Sequence, residues 1–370
     1  VAKSTKKRII VSVTSDLVSD NRVHKVCTSL YKMGFRVLLV GREKRNSLPL
    51  QQRVYKIHRF RLIFEKGPLF YGCFNLRLFC FLLFSKTDVL LANDLDTLPA
   101  NFLASKFRRK PLVYDSHEYF TEVPELINRP RVQKIWQWME QKMVPKIKYA
   151  YTVCDSIARV YSKKYGTPFK VVRNVPFGNS ASPAEKEEGK EKIILYQGAV
   201  NVGRGLGKAI LAMKNIEGAK LIIAGDGDIK PQLEKQVQKE NLQNKIKFTG
   251  RLGIDELAQL TPQADLGLSI EEDLGLNYRF TLPNKLFDYI QAQVPVLVTN
   301  LPEMAAIVKQ YQIGEITPSL EAKALAEKIK DALFNENARK TWKKNLKTAA
   351  KELVWENEEK VLQKILGRFL

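Results

Sequence analysis

Residues 177–192 read FGNSASPAEKEEGKEK, a small, polar and charged run without the apolar period of a helix or a strand. A stretch of this composition is a linker. Outward from it, the same pattern unfolds in both directions. Upstream, residues 8–14 (RIIVSVT), 36–41 (RVLLVG), 88–92 (DVLLA) and 111–115 (PLVYD) are short β-branched runs that read as buried strands. Residues 22–33 carry apolar positions at helical spacing and stop at Gly34, a residue suited to a left-handed helix end. Residues 132–144 do the same with Ile135, Trp136, Met139 and Met143. Downstream, residues 193–197 (IILYQ), 219–224 (AKLIIA), 245–249 (KIKFT), 265–270 (DLGLSI) and 295–299 (PVLVT) read as strands with helices between them. The tail over residues 320–369 is Lys/Glu-rich and helical in pattern.

Strand–helix alternation predicts parallel sheets covered on both faces. The expected organisation is therefore α/β. An N-terminal Rossmann-like domain spans residues 1–176, a linker 177–192 and a second Rossmann-like domain 193–350. A helix over residues 351–370 is expected to pack back on the first domain. A chain of 370 residues suits two such cores. Two doubly wound domains are expected to face across a cleft, with ligands outside the carboxyl ends of the strands.

The net charge of +22 is unevenly spread. Residues 1–184 hold 33 Lys and Arg against 13 Asp and Glu, and residues 185–370 hold 28 against 26. A field concentrated on one domain predicts an anionic partner for it. The basic residues are scattered, with no recognisable RNA- or DNA-binding motif, so nucleic acid is not the expected partner. Four cysteines without metal-ligand spacing exclude a zinc site of the usual kind and fit a reducing, cytoplasmic compartment. Cys73 and Cys80 lie in the apolar run of residues 69–84 and are expected to be buried, that run being a core helix, with a helix dipping into a membrane as the second reading. It is too interrupted, by Tyr71, Gly72, Asn75 and Arg77, to span a bilayer. The basic start of the chain lacks the pattern of a signal peptide.

The chemistry is expected just past the strand ends. After residues 193–197 come Gly198 and then Gly203-Arg204-Gly205 before a helix, a strand–turn–helix whose backbone N–H groups cradle an anion. Arg204 adds a charge-assisted grip on phosphate. Residues 281–292 (TLPNKLFDYIQA) place Pro283 at a helix start, with Asn284 and Lys285 at the positively polarised end. Asp288 stands three residues beyond Lys285 on the same face, suited to ribose hydroxyls. Glu271, Glu272 and Asp273 follow a strand directly and suit sugar hydroxyls. In the first half, Asp115, His117 and Glu118 emerge at a strand end, as do Asp94 and Asp96. His117 is expected to hydrogen-bond near the transferred group. Asp96 equally suits a helix cap.

Taken together, these elements resemble the family 4 glycosyltransferases of the GT-B fold over nearly the whole chain. The most specific piece is Leu282-Pro283-Asn284-Lys285-Leu286-Phe287-Asp288-Tyr289-Ile290, with Ala224-Gly225-Asp226-Gly227 and Phe248-Thr249-Gly250 in support. The resemblance implies transfer of a sugar from a nucleotide diphosphate donor such as a UDP- or GDP-sugar. It also implies retention of anomeric configuration, no metal and no cofactor. Asp288 looks like the second acid of the family's donor motif, and Glu271 or Glu272 like the first. Arg204 matches a phosphate-binding Lys of the family, whereas Ala199 stands where the family has Arg. Lys285 is the expected substitute, with Arg251 second. Asp115, His117 and Glu118 resemble the family's acceptor-side loop. Asp16 lies in a loop that the family places over the donor phosphates. The expected partners are a nucleotide-sugar, a saccharide or lipid-linked acceptor and an anionic membrane surface. The expected location is cytoplasmic, peripheral to the inner face of the membrane. The alternatives are a nucleotide-sugar epimerase or hydrolase of the same fold, and a nucleic-acid-binding protein using the basic half.

Overall fold

The computed structural model describes residues 6–18, 20–178 and 191–370. Most of the stretch 177–192 thus lies outside the described residues. The chain divides into two compact units, Val1–Asn174 with Asn357–Leu370, and Val175–Glu356.

The first unit holds a sheet of seven strands: β1 (Arg8–Ser12), β2 (Arg36–Glu43), β3 (Lys56–Arg61), β4 (Val89–Asn93), β5 (Leu112–Ser116), β6 (Tyr149–Thr152) and β7 (Phe169–Val171). Their order is β3-β2-β1-β4-β5-β6-β7 and every pair is parallel. β1, β4 and β5 are the central strands, and Ile9, Ile10, Leu90, Leu91 and Val113 are at most 1% exposed. That is why they read as unbroken apolar runs. The helix Asn21–Lys32 ends as the sequence predicts: Gly34 takes a positive φ of 105° and Phe35 N–H donates back to Leu30 O at 3.1 Å.

The second unit holds six strands: β8 (Lys192–Gln197), β9 (Ala219–Ala224), β10 (Ile246–Gly250), β11 (Leu266–Ser269), β12 (Val296–Thr299) and β13 (Gly314–Thr317). Their order is β10-β9-β8-β11-β12-β13, again all parallel. In both units the first strand lies at the point where the strand order reverses, next to the fourth. Open α/β sheets form their ligand sites there.

Two expectations about residues 69–84 fail. The helix is real, running Gly67–Phe84, but only Phe70, Phe74, Leu78 and Leu82 are buried. It flanks the β3 edge of the sheet, where Phe60 meets Phe74 and Phe81 edge-on, so one stripe suffices to cover it. Cys73 and Cys80 consequently face outward and are exposed, while Cys27 and Cys154 are buried.

The last helix, Trp355–Leu366, continues the chain from the second unit into the first. Within the first unit Glu358 accepts from the Arg173 backbone at 2.8 Å and from Arg173 Nε at 3.0 Å. Phe369 meets the Tyr149 ring edge-on at 5.1 Å.

Candidate functional site

In the second unit, β8 and β11 lie side by side and the turn after β8 carries three glycines of positive φ: Gly198, Gly203 and Gly205. Gly205 has φ +69°, and a Cβ there would sit 2.3 Å from the Ile270 carbonyl oxygen. Gly203 has φ +81°, and a Cβ there would meet the Tyr278 ring at 2.6 Å. No other residue lets this turn pass so close to the end of β11. The Glu272 N–H donates to Gly203 O at 2.9 Å and fixes that approach.

This packing brings two of the sequence's candidates onto one carboxylate oxygen of a third. Lys285 Nζ, from the first turn of the helix Asn284–Gln291, lies 2.5 Å from Glu271 Oε1. Arg204 Nη1 lies 3.5 Å from the same oxygen. The Ser269 hydroxyl donates to Glu271 Oε2 at 2.9 Å. Burial alone would raise the Glu271 carboxyl, but Lys285, Arg204 and Ser269 outweigh it and hold the group below its ordinary value. Each cation is also backed by an aromatic face: Lys285 over Tyr196 at 4.5 Å and Arg204 over Tyr278 at 5.6 Å. The result is a fully buried, ionised acid beneath two cations at a glycine turn. Such an arrangement can share its positive charge with an incoming anion.

Other candidates stand nearby or apart. Asp288 accepts from Gln197 Nε2 at 3.1 Å, and Gln197 Oε1 accepts from the Thr261 hydroxyl at 2.9 Å, which orients the amide. Asn284 is exposed as the first residue of its helix, and Glu272 is half-buried beside Glu271. Arg251 is exposed just past β10, two strands away from β8.

In the first unit, the ends of β1, β4 and β5 assemble a second charged cluster. His117 Nδ1 lies 3.1 Å from Asp94 Oδ2, and Nε2 lies 3.2 Å from Asp115 Oδ2 and 3.1 Å from Asn93 Oδ1. The His117 N–H donates to Asp94 Oδ1 at 2.7 Å. Burial works against a charged imidazole, but Asp94 and Asp115 overcome it and raise His117 to about 9. His117 is thus an imidazolium at neutral pH, with both ring nitrogens engaged. Burial would raise Asp115 too, yet Arg22 and His117 keep it below its usual value. Burial raises Asp96 to about 6, against the pull of the Thr14 hydroxyl, which donates to it at 2.5 Å. Asp96 therefore reaches back toward the β1 loop instead of capping its own helix. Asp16 lies elsewhere, accepting from the Ser47 hydroxyl at 2.9 Å.

Asp94, Asp96 and Glu118 line a cavity of about 700 Å³ together with Tyr71, Phe120 and Trp136. The Trp136 ring meets Tyr71 at 5.3 Å and Phe120 at 5.1 Å. Asp96 Oδ1 is buried and has no hydrogen-bond partner among the described residues. Carboxylates beside aromatic faces suit a saccharide, whose hydroxyls donate while its C–H faces pack on rings.

The sequence places Asp20-Asn21-Arg22, with Asp16, in the loop that the resemblance sets over the donor phosphates, but the partners of Arg22 escaped that reading. Arg22 is 4% exposed and donates to Asp115 through Nε at 3.1 Å and Nη2 at 2.7 Å, and to Val172 O through Nη1 at 2.9 Å. Its place in the amphipathic pattern of residues 22–33 gave no sign of a partner 93 residues away. Ser269 and Tyr196 were likewise hidden inside strands.

His117 has a pH signature. A histidine raised to about 9 in the fold contributes stability that is complete below its unfolded value of 6.5 and is lost as pH rises through 9. Denaturant unfolding of the native chain is therefore expected to show falling stability between about pH 7 and 10. In His117→Asn that decline is largely absent.

Two family models match this chain. One, described as Glycosyltransferase Family 4, covers residues 20–178, and the other, Glycosyl transferases group 1, covers residues 179–349. A curated relative from Campylobacter jejuni is 26% identical over 275 residues, spanning 72% of this chain and 71% of the relative. It is named GalNAc-alpha-(1->4)-GalNAc-alpha-(1->3)-diNAcBac-PP-undecaprenol alpha-1,4-N-acetyl-D-galactosaminyltransferase. Among solved structures, sucrose-phosphate synthase from Thermosynechococcus elongatus superposes with a TM-score of 0.82 at 14% identity, covering 98% of this chain and 99% of that one. Anabaena HepE in complex with UDP-glucose gives a TM-score of 0.74 at 15% identity, with 98% and 99% covered. At such identities the two structures establish the GT-B fold.

Proposed function

The chain belongs to the family 4 glycosyltransferases, and from that membership we propose that it transfers a sugar, with retention, from a nucleoside diphosphate donor to a lipid-linked or envelope polysaccharide acceptor. One observation carries the donor assignment: Arg204 and Lys285 converge on Glu271 at the strand-order reversal beside a glycine turn. The UDP-glucose held by Anabaena HepE and the undecaprenol-linked acceptor in the name of the Campylobacter relative support the two substrate classes.

In this reading the costly feature of the reaction is negative charge building on the departing diphosphate. Arg204, Lys285 and the positively polarised start of the helix Asn284–Gln291 stabilise it. Glu271, ionised and fixed by Ser269, is the first acid of the donor motif and accepts from sugar hydroxyls; Asp288 and Asn284 contact the nucleoside side. The acceptor attacks from the face the diphosphate leaves, so inversion is avoided without a protein nucleophile. In the first unit Asp94, Asp96 and Glu118 bind acceptor hydroxyls, and the His117 imidazolium keeps Asp94 in place. The two cations do the work that a divalent metal does in other transferases, so the reaction runs without metal or cofactor. The basic first unit attaches to an anionic, cytoplasmic membrane face, at about 1 kcal/mol per Lys or Arg near the surface.

Calorimetric titration with UDP, GDP and their sugars tests the donor assignment. One nucleoside diphosphate is expected to bind the native chain, and Arg204→Ala to weaken that binding at least tenfold (~1.4 kcal/mol). Silence toward every nucleotide ends the proposal. Turnover of the sugar nucleotide with no acceptor present points instead to an epimerase or hydrolase. Transfer that is abolished by chelator and restored by Mg²⁺ or Mn²⁺ removes the metal-free part.

A further inference from the structure

The helix Gly67–Phe84 is apolar all round, with a mean hydropathy of 1.5 over 18 residues, yet only 22% of those residues are buried. A helix without a polar face normally lies wholly inside a protein or inside a membrane. This one does neither. Phe70, Phe74, Leu78 and Leu82 recur every four residues and seat it on its own unit along its full length. On the opposite side Leu69, Cys73, Leu76, Cys80 and Phe84 are all exposed, and Leu69, Leu76 and Phe84 are 60%, 66% and 88% exposed. Between residues 67 and 84 the one charged side chain is Arg77. It is exposed at the edge of this outward face, with its guanidinium over the Phe60 ring at 5.0 Å and Nη1 donating to Arg61 O at 2.8 Å.

The apolar surface extends beyond the helix. Ile63, in the segment before it, is 83% exposed, and Phe107, from the neighbouring helix Asp94–Arg108, is 72% exposed and meets Phe79 at 5.9 Å. Exposed cations border it: Arg61 and Lys66 toward its start, Lys86 just past its end, and Lys106 and Arg109 beside Phe107. Arg108 donates to Leu82 O and Ser85 O, both at 2.6 Å, and so closes the helix end with positive charge. Apolar side chains framed by cations match a bilayer of anionic lipid, whose acyl layer takes the first and whose phosphates take the second.

We propose that the outward face of Gly67–Phe84 inserts into an anionic bilayer with the helix lying in the membrane plane, Leu69, Leu76 and Phe84 reaching the acyl chains. The plane follows from the buried stripe. A helix of 18 residues is about 27 Å long, enough to cross the hydrocarbon layer, but crossing would strip Phe70, Phe74, Leu78 and Leu82 from their unit. The proposal rests on the membrane-attachment part of the reading above. It replaces purely electrostatic contact by insertion, and it makes attachment partly resistant to salt.

The two exposed cysteines provide the test. The full chain carrying Cys80→Ser is labelled at Cys73 with an environment-sensitive fluorophore, and the Cys73→Ser chain at Cys80. Vesicles of phosphatidylcholine alone, or with phosphatidylglycerol, are then added, with nitroxide quenchers in the headgroup or the acyl chain. The expected result is a blue shift on anionic vesicles, with stronger quenching from the acyl position. Leu76→Glu is expected to lower vesicle partitioning about tenfold or more while leaving calorimetric nucleotide binding unchanged. Binding with the labels still in water overturns insertion and leaves surface attachment standing. Failure to bind any vesicle overturns both. Burial of the labels without lipid, with cross-linking of two chains through Cys73, overturns insertion in favour of a dimer. The donor titration is untouched by all three outcomes.

Discussion

Lys285→Ala is expected to slow sugar transfer about 10²–10³-fold, the usual cost of losing one electrostatic contact to a developing charge. It should also destabilise the second unit by about 3–5 kcal/mol, because Glu271 stays fully buried with its shortest ion pair gone. The two effects separate in a double variant. Glu271→Gln added to Lys285→Ala removes the stranded charge, so the unfolding midpoint recovers most of its loss while transfer stays low. Steady-state kinetics and urea unfolding on these three proteins, native, single and double variant, measure this. A double variant as unstable as Lys285→Ala, or a Lys285→Ala chain with native activity, contradicts the assignment.

Arg22→Met is expected to cost the first unit about 3–5 kcal/mol in the same way. Asp115 is 0% exposed, and Arg22 supplies both its bidentate partner and the link to Val172 O. The proposed donor site lies in the other unit, so nucleotide binding by folded protein should be native. Asp115→Asn on the Arg22→Met background is expected to restore at least half of the stability. Near-native stability of Arg22→Met alone would mean that His117 suffices to hold Asp115.

Much of the fold was legible because central parallel strands must be apolar on both faces. Residues 219–224 were read with the bounds the structure gives, and residues 88–92 and 111–115 each lie within a residue of β4 and β5. The strands that escaped are short or lie away from the sheet centre: β3 (KIHRFR) alternates polar and apolar residues, and β6, β7 and β13 have four, three and four residues. The candidate site was legible as separate residues past strand ends, but not as contacts. Nothing local separates Glu271 from Glu272; burial does, since only Glu271 meets Lys285 and Arg204. Arg22 and Asp115 are far apart in the chain, and only the order β1-β4-β5 joins their elements. Residues 69–84 misled in a different way. Their apolar character predicted burial, whereas a helix beside an edge strand is covered on one side alone.

The pairing of Arg173 with Glu358 has a consequence for synthesis. Residues up to 174 leave the ribosome before the whole second unit, and the segment that completes their own unit follows it. The nascent first unit therefore waits through the translation of some 180 residues with Tyr149 and Arg173 uncovered, while the second unit can fold as it emerges. Loss of residues 357–370 would thus injure the unit that was made before them.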